Sequence, residues 1–331
     1  MFRRISVALI TVALFTWALA APAIAGEKKP VKAHPAIVLA GFGTTYPSAL
    51  ESILNIQEKV QKAFPGVKVK MAFTSNIIRR IWHKRQGDEK FFAENKNIPE
   101  EIVYVKGPLA TIADLQDSGY RTIVVQPTHI YAGEEYTDLC AYIHGLNEIE
   151  TVKKKFMPFD KLVVGRPALG KWGVEYDYHA DMETAARALS ADVDLAMKND
   201  AALVYMGHGN EFYSTGIYAE FQQVMRHTYP DTKVFIGTVE GYPSFDNVAA
   251  ALSHSGIKKI VLKPMMIVAG DHANNDMAGD DAGSWKSRLV RAGIEVLPVL
   301  KGLGSNDAFA GIFIDHIKNV AHDAGIDLSA E

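Results

Sequence analysis

Three side chains, each closing an apolar run, carry the residue types that hold a metal ion. His208 follows 202–206 (ALVYM), Glu240 ends VFIGTVE, and His272 lies beyond KKIVLKPMM. The intervals are 32 and 32 residues, one strand-plus-helix unit each. That spacing sets all three on one edge of one parallel sheet, where strands deliver side chains to a site. Two neutral imidazoles and a carboxylate form a borderline donor set suited to Co²⁺, Ni²⁺, Fe²⁺ or Zn²⁺. Three protein ligands also leave coordination positions open for exchange. Glycines beside them (Gly207, Gly209, Gly241) let backbone approach a bulky ligand.

The elements that must position these residues come from an internal duplication. Residues 118–135 (SGYRTIVVQPTHIYAGEE) align without a gap on 255–272 (SGIKKIVLKPMMIVAGDH) at an offset of 137. Further matches pair 41–43 (GFG) with 207–209 (GHG), and 64–69 with 229–234. Apolar runs at 36–40, 67–73, 122–126 and 161–165 recur at 202–206, 234–240, 260–262 and 294–299. Helical patterns separate them, as in 50–64 with Leu50, Ile53, Leu54, Val60 and Phe64. Alternating strands and helices predict α/β architecture: two similar doubly wound parallel-sheet lobes facing each other across a cleft. Pro264 is expected to stop the seventh strand, and the helix over 309–324 to cross back and tie the lobes together. The domain reading is 1–25 signal peptide, 26–35 leader, 36–170 first lobe and 171–331 second lobe carrying the metal site.

The first lobe has Phe42, Ser75 and Glu135 where the second has His208, Glu240 and His272, so the copies diverge where chemistry would sit. It is expected to supply the opposing wall through His129, Glu134 and Glu135. A basic run, IIRRIWHKRQG, offers Arg79, Arg80, Lys84 and Arg85 to a polyanionic ligand, with Trp82 stacking on a flat one. Met265 and Met266 read as core. His144, His179, His227, His254, His316 and His322 belong to no constellation and are expected at the surface. Nucleotide-binding glycine motifs, the H-E-x-x-H zinc motif and a nucleophile elbow are all absent from the sequence.

Arg3 and Arg4 precede an uncharged apolar stretch ending in Ala23-Ile24-Ala25, the pattern of a secretory signal cut after residue 25. Cleavage, as opposed to retention as an anchor, would leave an exported, periplasmic protein with no stable membrane association. The whole chain carries −3; without two signal arginines it has 33 basic and 38 acidic residues, or −5. Such a chain lacks the basic excess that nucleic acid requires. Cys140 is the only cysteine, so neither an intramolecular disulfide nor a thiolate cluster forms. A homo-oligomer is compatible with the sequence.

GHG, VEGYP and DHANNDMAGD, with QPTHIYAGEEY in the first half, resemble the anaerobic-pathway sirohydrochlorin cobaltochelatases. These are class II chelatases, related to ferrochelatases. The resemblance covers the chain from His34 onward. It implies the two-lobed chelatase fold and a tetrapyrrole partner. It also implies insertion of Co²⁺ into sirohydrochlorin, towards cobalamin, without ATP or a second protein. His208 and His272 would serve as ligands and bases, and Glu240 as ligand or proton relay. Fe²⁺ accepts the same ligands. The alternative is an extracytoplasmic carrier of metal or tetrapyrrole, haem included, on the same fold.

Overall fold

The computed structural model describes residues 35–211 and 215–329. The expected signal, 1–25, and all of the expected leader except Pro35 lie outside the described residues. Among the described residues, no helix is long and apolar enough to cross a membrane.

The first sheet holds β1 (Ala36–Gly41), β2 (Lys68–Phe73), β3 (Thr122–Pro127) and β4 (Lys161–Val164). Between them run α1 (Leu50–Ala63), α2 (Asn76–Arg85), α3 (Glu89–Glu94), α4 (Glu100–Val103), α5 (Pro108–Asp117) and α6 (Glu134–Asn147). After α7 (Tyr178–Ala188) and α8 (Ser190–Lys198) comes the second sheet: β5 (Ala202–Gly209), β6 (Val234–Glu240), β7 (Lys259–Met265) and β8 (Glu295–Pro298). Its helices are α9 (Gly216–Thr228), α10 (Phe245–His254) and α11 (Trp285–Arg291), and α12 (Asp307–Asp323) ends the fold.

Both sheets are parallel and share one topology, β2-β1-β3-β4 and β6-β5-β7-β8. The duplication extends to register. Val38 faces Lys70 and Val125 in the first sheet, and its counterpart Val204 faces Phe235 and Leu262 in the second.

Pro264 does not stop β7, which continues to Met265. Lys258, just before β7, accepts from Glu295, and Leu262 accepts from Val299, just past β8, so even-numbered residues of β7 turn their backbone groups towards that strand. Pro264 comes next in this series but lies beyond the end of β8, where its missing N–H costs no ladder bond. Pro127 ends β3 in the same way: Val125 accepts from Gly165, and β4 has already ended.

Side chains alternate between two faces along each strand. Ala36, Val38 and Ala40 pack outward with Ile112, Leu115, Leu139 and Ile143 of α5 and α6. Ile37 and Leu39 turn inward, into one core shared with Leu203, Tyr205, Val261 and Met265 of the other sheet. α12 joins that core through Phe309, Ile312, Phe313 and Ile317, spaced three or four apart on one stripe. Each such side chain, fully buried, contributes ~1.5–3 kcal/mol. Asn306 caps the helix by accepting from the N–H groups of Ala308 and Phe309. As expected, α12 crosses back and packs on α1 and on β3 of the first sheet. The two sheets lie on either side of residue 170, but α12, assigned from sequence to the second lobe, packs on the first.

His316 is not at the surface. It lies on the buried stripe of α12, with Nε2 3.2 Å from Asp181 Oδ1 and Nδ1 3.0 Å from the Arg166 carbonyl. Arg166 clasps the same carboxylate, Nε donating at 2.7 Å and a terminal nitrogen at 2.9 Å. The other five unassigned histidines are exposed.

Candidate functional site

The carboxyl ends of both sheets open on one cavity of about 840 Å³ between the lobes. His208 is the penultimate residue of β5, and Glu240 the last of β6. Gly209 pairs with Glu240 and has φ +79°, and a Cβ there would lie 1.7 Å from the Glu240 carbonyl oxygen. Only glycine lets the two strand ends close up in this way.

After β7 the chain does not form a loop at the DHANNDM motif. It winds into a π-helical turn, Ala273–Met277, with His272 just before it. Such turns are rare and concentrate at functional sites. Asn274 holds the turn's entry by donating to the carbonyls of Ala269 (3.0 Å) and Gly270 (2.7 Å).

The His208 and His272 rings stand 4.8 Å apart between centroids and nearly perpendicular, at 80°. His272 Nδ1 is 2.6 Å from Asp276 Oδ2, and His208 Nδ1 is 2.9 Å from the Gly209 carbonyl oxygen. Both partners are acceptors, so each Nδ1 carries the hydrogen and donates it. The lone pair of each imidazole then resides on Nε2. Metal-binding histidines are oriented by this kind of outer hydrogen bond. Glu240 lines the same cavity. Among the described residues, no three His, Cys, Asp or Glu side chains are gathered into a metal cage. The expected triad is therefore two imidazoles in contact, with a carboxylate elsewhere on the same cavity wall.

The opposing wall comes from the first lobe, and His129, Glu134 and Glu135 all line it. Both ring nitrogens of His129 are buried without a hydrogen-bond partner, and burial pushes its pKa down to about 4. Burial also raises the Glu135 carboxyl, opposed first by the Thr74 hydroxyl, with Asp138 and Glu134 adding to the rise. Met265 is core as expected; Met266 is half-buried and, like Met265, touches the cavity. Phe42, Ile53, Ile77 and Ile81 make the first-lobe surface largely apolar.

Two expectations about the basic run are corrected. Trp82 is 0% exposed, and its Nε1 donates to the Thr44 carbonyl at 2.8 Å, so it cannot stack on a ligand. Its i−4 neighbour Ile78 is also buried, which makes Trp82 part of the inward stripe of α2. Arg79 does not line the cavity. Its guanidinium donates to the Phe73 and Thr74 carbonyls and to Asn76, holding the β2–α2 turn. Arg85 is likewise committed, donating to the Thr45 carbonyl at 2.6 Å and lying over the Trp82 and Phe91 rings. Arg80 is exposed and outside the cavity wall.

Sequence reasoning did not single out the residues that bridge the lobes. Tyr46 donates to Asp271 Oδ1 at 2.8 Å, and Asn210 Nδ2 to Glu134 Oε2 at 3.2 Å. Tyr131 packs edge-on against Tyr218, ring centroids 5.3 Å apart. Its phenol is pushed up to about 12 by burial, with the Glu134 and Glu240 carboxylates adding to the effect. Asp276 was the most legible of the missed residues, four positions after His272 in a helical turn.

Fold and site together define a class of two-lobed α/β proteins whose paired imidazoles face an apolar wall across a cleft. Residues 35–322 match the model of the cobalt chelatase (CbiK) family, and the chain belongs to that family. It is 33% identical over 281 residues to the sirohydrochlorin cobaltochelatase CbiKC of Nitratidesulfovibrio vulgaris, covering 85% of this chain and 88% of the relative. It is 30% identical over 283 residues to the sirohydrochlorin cobaltochelatase of Salmonella typhimurium, covering 85% and 94%. The sirohydrochlorin chelatase SirB of Bacillus subtilis subspecies spizizenii, solved with cobalt, is similar in fold. It has a TM-score of 0.51 at 12% identity, covering 88% of this chain and 97% of that one.

Proposed function

We propose that this protein inserts Co²⁺ into sirohydrochlorin, without ATP, as a lyase-type metal chelatase. The observation that carries the reading is the His208–His272 pair, both lone pairs on Nε2, at a cleft large enough for a macrocycle. The two imidazoles receive the metal substrate, with Glu240 as third donor or proton relay. An incompletely enclosed ion can exchange protein nitrogens for pyrrole nitrogens. The two displaced pyrrole protons pass to His208 and His272 once the metal has left them, and the carboxylates at the mouth carry them outward. The apolar first-lobe wall holds the macrocycle face and excludes water.

Anaerobic mixing of the protein with sirohydrochlorin and Co²⁺, followed by the macrocycle's absorption, tests this reading. Rapid metallation by the natural chain and background rates from His208→Ala/His272→Ala are expected. Macrocycle binding at background rates in both proteins would leave a carrier instead. The same assay with Fe²⁺ in competition ranks the metals. Residues 1–25 are proposed as a signal that exports the enzyme to the periplasm. N-terminal sequencing of the protein from that compartment should begin at Gly26, and a product retaining Met1 would reject cleavage.

A further inference from the structure

The residues lining the cavity and the exposed face of α2 beside its lip carry opposite charge. Among the described residues, the lining includes five carboxylates, Glu134, Glu135, Glu211, Glu240 and Asp271, and neither Lys nor Arg. A polycarboxylated macrocycle therefore meets no cation inside, and its own carboxylates would be repelled there. The apolar wall ends at Ile77 and Ile81 on α2, and Ile77 is 70% exposed at the lip. Arg80 and Lys84 each lie three residues beyond one of these isoleucines, as neighbours on the helix surface. Both are exposed. Neither has a hydrogen bond or ion pair to a carboxylate among the described residues, whereas Arg79 and Arg85 are bound to backbone carbonyls.

We infer that Arg80 and Lys84 fix how the tetrapyrrole enters. The ring lies with an apolar face over Ile77 and Ile81, while the carboxylates on its outer edge rest on these two cations at the mouth. This specificity role rests on the chelatase reading above. It predicts an electrostatic, salt-dependent contribution to macrocycle binding that leaves metal binding unchanged.

The test is steady-state kinetics on the full chain carrying Arg80→Glu/Lys84→Glu, with Arg80→Gln/Lys84→Gln beside it. At low salt, the KM for sirohydrochlorin should rise about tenfold in the reversed variant and about threefold in the neutral one. The kcat and the KM for Co²⁺ should stay within about twofold, and high salt should close the gap. A fully esterified macrocycle should be metallated equally by all three proteins. A natural chain that metallates sirohydrochlorin while the variants keep its KM overturns the inference and leaves the chelatase reading standing. Equal losses with the esterified macrocycle also overturn it. A natural chain that neither binds nor metallates the macrocycle overturns the chelatase reading, and the inference with it.

Discussion

The imidazole of His272 donates from Nδ1 to Asp276 Oδ2 at 2.6 Å, one turn further along the π-helical segment. That contact sets the tautomer, and so decides which nitrogen faces incoming metal. Asp276→Ala should lower Co²⁺ affinity or turnover by about 10–100-fold. Asp276→Asn, which still accepts through its amide oxygen, should lose less. Calorimetric titration with Co²⁺ checks the order, and an alanine variant that binds like the natural protein would refute it.

Asp181 anchors a buried network that ties α7 to α12 through His316, with Arg166 on the same carboxylate. Asp181→Ala leaves the Arg166 charge uncompensated in the interior and should cost about 3–5 kcal/mol in urea unfolding.

The same carboxyl gives one pH dependence. Burial raises its pKa, but His316 and Arg166 together outweigh burial and hold it below the ordinary range. A depressed folded pKa stabilises the native state above the unfolded value of about 3.9, and the contribution is lost as pH falls through the folded value. Urea midpoints below about pH 4 should fall more steeply in the natural protein than in Asp181→Asn.

His129 gives another, at higher pH. Its pKa of about 4 in the fold lies below the unfolded value of about 6.5. Between these values the unfolded chain takes up a proton that the native state refuses, so stability falls as pH drops from about 6.5 to about 4. The slope is at most about 1.4 kcal/mol per pH unit. His129→Phe should remove it, and an unchanged slope in that variant would assign it to another group.

Much of this was legible in the chain because each copy of the repeat was written in the same period. Continuous apolar runs marked parallel strands buried on both faces, and the residues closing them marked the site edge. His208, Glu240, His272, His129, Glu134 and Glu135 all line one cavity for that reason. Trp82 was misread because a ring among arginines looks like a binding platform, although its spacing from Ile78 already placed it inward. His316 was misread because its partner Asp181 is 135 residues away, and a pairing over that distance leaves no local pattern. The winding of 273–277 was equally hidden, since its residue types suit a polar loop as well as a π-helical turn.

The inward faces of both sheets and the stripe of α12 form one core. A chain that arose by copying one half has thereby given up the independence of its halves. Either copy expressed alone would expose an apolar face that only the other copy and the last helix cover. The repeat survives as ancestry and as register, but the folding unit is the whole, and its unfolding should be a single cooperative event.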